Sequence, residues 1–129
     1  MSINTKISVG EFLDKLTILQ IKQAKIKDLD KLANIHLELD ALMKVWDKTS
    51  YDKSSLQDEI SSLYEINLKL WDIEDDIRDK ESRKEFDQIF IELARAVYNT
   101  NDLRAKIKKQ INQKSGSALV EEKSYKDYK

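Results

Sequence analysis

The chain has no cysteine, no proline, two glycines and a single histidine, His36. Without cysteine there is no disulfide, no thiolate nucleophile and no thiolate metal site, and one histidine cannot form a histidine cluster. The missing prolines argue against a loop-rich sandwich or barrel, whose turns prolines punctuate. No apolar run approaches the roughly 18 residues of a transmembrane helix. The opening MSINTKISVGEFLDK has no apolar stretch flanked by a cleavage site, so a cytoplasmic protein is expected. Charge of one sign is lacking too. Against 23 basic residues stand 24 acidic ones, a formal net of −1. Such a chain has no global attraction to nucleic acid or anionic membrane, and neither is expected as a partner.

What the sequence does have is helical period. Ser8 followed by Glu11 has the form of a capping box, with Ile7 and Phe12 at the positions of a hydrophobic staple. Apolar residues then recur at spacings of three and four: Val9, Phe12, Leu13, Leu16 and Leu19, and later Leu29, Leu32, Leu39, Met43 and Trp46. One helix over about 8–46 is expected, roughly 57 Å from Val9 to Trp46. A kink near Lys27–Asp30 is the one alternative to a straight run, with no glycine or proline to compel it. The polar stretch DKTSYDKS at 47–54 reads as a linker, with Ser55 and Asp58 as the start signal of a second helix over about 55–82. The frame of that helix is Leu56, Ile60, Leu63, Asn67, Leu70, Glu74 and Ile77, stepping by four and three.

A third helix over about 84–114 carries Phe86, Phe90, Leu93, Val97, Arg104, Ile107 and Ile111 on one face. The run NTND at 99–102 is poor helix-interior chemistry unless its side chains find partners; the unbroken frame favours one continuous helix. Gly116 suits a left-handed cap. The expected fold is all-α, a long antiparallel hairpin with a third helix packed on it, a single unit over residues 1–129. Its tail, ALVEEKSYKDYK, either docks or frays. An apolar stripe left on the long first helix would be covered by a second copy, so a homodimer is expected.

Candidate chemistry is sparse. Asp72, Asp75 and Asp79 share a helix face, but no second carboxylate pair stands opposite, so a solvated face is the plain reading and no metal is assigned. The basic run LRAKIKKQINQK at 103–114 favours the helix dipole at that end. His36 has neither a nucleophile nor an orienting acid beside it, and Trp46 and Trp71 read as packing anchors. No catalytic residue and no cofactor is assigned.

Asn67 and Glu74 are more informative, because polar groups in an apolar seam need partners. Glu74 is expected to pair with Arg95 or Arg104 of the third helix, either as a register-fixing network or as part of an anion pocket. The candidate ligand-binding set is Asn67, Glu74, Arg78, Arg95, Tyr98, Asn101 and Arg104, between the second and third helices. Its ligand would be a phosphorylated or carboxylated small molecule.

The strings ISVGEFLDKLTIL at 7–19, NLKLWDIEDDIRDKE at 67–81, FIELARAVYNTNDLRAKIKKQIN at 90–112 and SALVEEKSY at 117–125 resemble a small uncharacterised family of bacterial and phage proteins. The resemblance covers nearly the whole chain. It implies a gene neighbourhood of surface-polysaccharide synthesis and glycosyl transfer, and it brings no catalytic residues. The function expected of the chain is that of a dimeric helical interaction or scaffold protein, with a possible protein partner; the alternative is an enzyme or binding domain for an anionic metabolite, with its site between the second and third helices.

Overall fold

A computed structural model describes residues 1–128, and among them every regular element is helical. The helices are α1 (Val9–Lys25), α2 (Leu29–Asp47), α3 (Gln57–Ser82) and α4 (Gln88–Ser115), with a 3-10 turn at Lys53–Leu56. The single helix expected over 8–46 is therefore two. Ile26 adopts an extended backbone, and the Asp28 side chain accepts the Lys31 N–H at 3.1 Å, starting a new helix. An N-cap aspartate does here what no glycine or proline was present to do.

The break folds α2 back along α1. Phe12 near the start of α1 stacks on Trp46 near the end of α2, with ring centroids 5.5 Å apart, and Lys15 approaches Glu38 at 3.9 Å. The two helices are thus antiparallel. Ile35 and Trp46 are buried, with Leu32, Leu39, Leu42 and Met43 partly so. Leu29 falls on the other side and is 82% exposed. The apolar stripe of the first helix is consequently covered within the chain, and that ground for a homodimer does not hold.

α1 is the centre of the molecule. It packs on α2, α3 and α4, whereas among the helices α2 packs on α1 alone. Val9, Phe12, Leu13, Leu16, Leu19 and Ile21 are buried, joined in the core by Leu56, Leu63 and Ile111. α3 and α4 form an antiparallel hairpin that turns through Arg83–Asp87. α3 starts two residues later than Ser55 suggests, because Asp52 caps the preceding 3-10 turn by accepting the Ser54 N–H at 2.9 Å. α4 starts at Gln88, not Lys84, because the Asp87 side chain accepts the Phe90 N–H at 3.0 Å. Phe86 is left at the turn, more than half exposed.

α4 runs unbroken through 99–102, and each polar side chain there has a place. Thr100 is buried. Asn99 donates to the Arg95 carbonyl oxygen at 2.8 Å, and Asn99 and Asp102 both accept from the Tyr128 hydroxyl. Gly116 closes the helix at φ 68°, the left-handed conformation that glycine adopts without strain. The chain then turns back along α4.

Candidate functional site

The most organised polar cluster lies where α1 crosses α3 and α4, and it is centred on Asp14. This carboxylate is 1% exposed, on a face of α1 that steps through Gly10, Asp14, Thr17 and Ile21. A buried carboxylate requires several hydrogen bonds to replace water, and Asp14 has them. Asn67 Nδ2 donates to its Oδ1 at 2.9 Å, as does Arg104 Nε at 2.9 Å, and Arg104 Nη2 bonds its Oδ2. The guanidinium thus grips both oxygens, the fork geometry that suits a carboxylate. Asn67 also donates to the Thr17 hydroxyl at 2.9 Å, and that hydroxyl donates to the Asp14 carbonyl at 2.8 Å.

Lys108, one turn along α4 from Arg104, extends the cluster. Its ammonium meets Glu11 at 2.6 Å, Glu121 at 3.3 Å and Asp14 at 3.7 Å. Burial works to lower its pKa, but the three carboxylates outweigh burial and the net shift is upward, so the lysine stays charged. Arg104 is likewise pushed up by its hydrogen bonds to Asp14. Glu11 is held here instead of closing a capping box. Ser8 still accepts the Glu11 N–H at 3.1 Å, but the glutamate reaches for Lys108 and not for the cap.

Backbone approach makes this crossing possible. A Cβ on Gly10 would lie 2.5 Å from the Lys108 carbonyl oxygen, and the Gly10 N–H donates to Asn112 Oδ1 at 2.7 Å. Only glycine permits that closeness. The tail is tied to the same region: Val9 N–H donates to Ser117 Oγ at 3.2 Å, and Glu121 bonds Lys108. Further along, the Tyr128 ring meets Tyr98 edge to face, centroids 4.9 Å apart, and its hydroxyl pKa is pushed up to about 12 by the Asp102 carboxylate.

Two concavities flank the cluster, and Asn101 and Arg104 line both. The smaller, about 420 Å³, lies between α1, α3 and α4. Asn67, Trp71, Glu74, Asp75 and Arg78 line it, with Lys22 from α1. The larger, about 880 Å³, is a groove between α4 and the tail, lined by Tyr98, Lys106, Lys109, Tyr125 and Lys126 among others.

The residues expected to form one site are divided among these places. Asn67 and Arg104 belong to the Asp14 cluster. Glu74 does not pair with Arg95 or Arg104: it pairs with Arg78 on its own helix at 3.4 Å and is 44% exposed. Its place is the α1-facing cleft, not the buried seam, because α1 supplies Asp14 as the acid that Arg104 needs. Tyr98 lines only the groove, and Asn101 stands between the two concavities. Arg95 is exposed and lines neither. The sequence reading missed Glu11, Asp14, Thr17, Lys108 and Glu121. The available signal was Asp14 and Thr17 on the otherwise apolar side of α1, facing Arg104 and Lys108 one turn apart on α4. Asp72 and Asp79 are exposed, and among the described residues no group of three or more His, Asp and Glu is placed to hold a metal ion. No described helix is long and apolar enough to cross a membrane.

Fold and cluster together define an all-α domain built around a central helix and a buried carboxylate–guanidinium pair. The chain belongs to a family of unknown function, DUF6165, whose match spans residues 3–128. None of the curated proteins and none of the solved structures matches it.

Proposed function

We propose that this domain binds an anionic small molecule in the groove between α4 and the tail, in the cytoplasm of a bacterium or of a phage-infected cell. One observation carries the reading. Lys106, Lys109 and Lys126 line the groove and make no ion pair among the described residues. An anion site needs uncommitted cations. Of the arginines expected to supply them, Arg104 is committed to Asp14 and Arg78 to Glu74, while Arg95 lies outside the groove. The groove as a whole is lined by six cationic and three acidic side chains. Tyr98 and Tyr125 add two ring faces and two neutral hydroxyls. Rings beside ammonium groups fit a sugar or base that carries phosphate, a class in keeping with the polysaccharide-gene neighbourhood implied by the resemblance.

The test is a calorimetric titration of the full chain with inorganic phosphate, a nucleotide sugar, a hexose phosphate and a dicarboxylate. Binding of at least one, weakened tenfold or more in Lys106→Ala/Lys109→Ala, is expected. Both lysines are exposed, so the variant keeps its fold. No heat with any anion would refute the reading.

A second reading, a homodimeric interaction or scaffold protein, is favoured by a different observation. Among the helices α2 packs on α1 alone, and it leaves Leu37 and Val45 exposed.

A further inference from the structure

The outward side of α2 carries Leu29, Ala33, Leu37, Ala41 and Val45, one residue every four, and all five are exposed. Leu29 and Leu37 are 82% and 72% exposed. A row at intervals of four is a ridge, and ridges of this kind interdigitate when two helices cross at about −50°. Large and small residues alternate along the row. A two-fold axis through Leu37 sets Leu37 against the partner's Leu37, Ala33 against the partner's Ala41 and Leu29 against the partner's Val45.

The row is also symmetric about Leu37. At equal distances on either side stand Ala33 and Ala41, then Leu29 and Val45. The charged pair nearest the ridge obeys the same centre with opposite sign: Asp30 mirrors Lys44. Both are exposed, and neither makes an ion pair among the described residues. A two-fold axis through Leu37 relates two antiparallel copies of α2. It brings each Asp30 toward the partner's Lys44. The same patch meets itself, as an isologous interface requires.

We propose that α2 is the surface through which two copies of this chain associate, antiparallel and centred on Leu37. This rests on the dimer reading above and adds the interface to it. The 19-residue helix is about 28 Å long, and one such crossing falls at the low end of specific interfaces. A micromolar dimer is therefore expected.

Sedimentation equilibrium of the full chain at about 200 µM, well above such a dissociation constant, tests it. Twice the 15.1 kDa chain mass is expected. Leu37→Glu should sediment as a monomer with its helical circular dichroism retained, since that side chain supports nothing within its own chain. Asp30→Lys and Lys44→Glu should each weaken association about tenfold or more by setting like charges opposite one another. Mixed in equal amounts, these two variants should form a heterodimer, because each then supplies what the other lacks. A wild-type monomer overturns both the dimer reading and this interface. A dimer that survives Leu37→Glu overturns the α2 interface and leaves a dimer formed elsewhere. A dimer lost in Leu37→Glu without association of the mixed charge variants overturns the antiparallel register.

Discussion

Replacing Arg104 by alanine is the most direct probe of how this domain is held together. The substitution removes the two charge-assisted bonds from the guanidinium to the Asp14 carboxylate and leaves the carboxylate 1% exposed. Removing one partner of a buried pair costs about 3–5 kcal/mol, most of it the penalty of an uncompensated buried charge. Here compensation is partial. Asn67 still donates to Oδ1, and the Lys108 ammonium stands 3.7 Å from Oδ2. The cost should therefore fall near the lower end, about 3 kcal/mol. At roughly 4 °C per kcal/mol for a domain of this size, that is a fall in Tm of about 12 °C. Arg78→Ala is the control. That guanidinium is 79% exposed and its partner Glu74 is 44% exposed, so about 0.5 kcal/mol or less is expected. Urea unfolding of the two variants beside the wild type, with the m-value checked for constancy, measures both. A loss below about 1 kcal/mol in Arg104→Ala, indistinguishable from the Arg78 control, would refute the view that the Asp14 pair organises the crossing.

Other consequences are equally open to measurement. Gly10→Ala should destabilise by about 1–3 kcal/mol, because a Cβ 2.5 Å from the Lys108 carbonyl forces α1 and α4 apart and outweighs the gain of up to about 1 kcal/mol in helix propensity. A rise in Tm would show that the helices do not approach so closely. Glu74→Ala should change urea unfolding by about 0.5 kcal/mol or less, since its ion pair is solvent-exposed; a loss above about 2 kcal/mol would place it in a buried seam after all. The Tyr128 hydroxyl pKa is raised above its ordinary value of 10.0 to about 12, so tail docking through Asp102 is fully present below pH 10 and lost as pH rises through about 12. Ultraviolet titration should show the Tyr128 hydroxyl ionising late, and Asp102→Asn should bring it back toward its ordinary value of 10.0.

Periodicity made the helices legible in the sequence, and chemistry at a few single residues decided where they end. The apolar steps of three and four marked every helical segment, and the continuous run through 99–102 followed from them. The break at 26–28 was legible only as a place where the helix could kink, because the same spacing continues on both sides and the N-cap aspartate, Asp28, is one of many acids in the sequence. Reading across it made one long helix of what is a folded pair. That error carried through to the site. With α1 extended, the natural partner for Arg104 was an acid on α3, and Glu74 occupied the right frame. Once α1 is short and central, Asp14 reaches Arg104 first, and Glu74 turns to Arg78. Asn67 was correctly marked as a polar group needing a partner inside the seam, since that inference used only its own position. Long-range pairs such as Lys108 with Glu11, and the return of the tail along α4, depend on how helices cross, which no local pattern encodes.

The central place of α1 also bears on the order of events during synthesis. α1 leaves the ribosome before α3 and α4, and its Asp14 finds Arg104 only after about 90 further residues have been made. At about 5–20 residues per second, that interval is roughly 5–20 s. Early in it, the apolar side of α1 has neither α3 nor α4 to receive it, and throughout it α4 is incomplete. α2 follows directly and covers the Phe12 side of α1 through Trp46, so a local helical hairpin can form early from neighbouring residues. The carboxylate side stays wet, where an ionised Asp14 costs nothing. Only when α4 arrives are the charges buried together, acid and base in one step. The same aspartate that holds the finished crossing thus gives that side of the nascent helix a polar group until its partner exists.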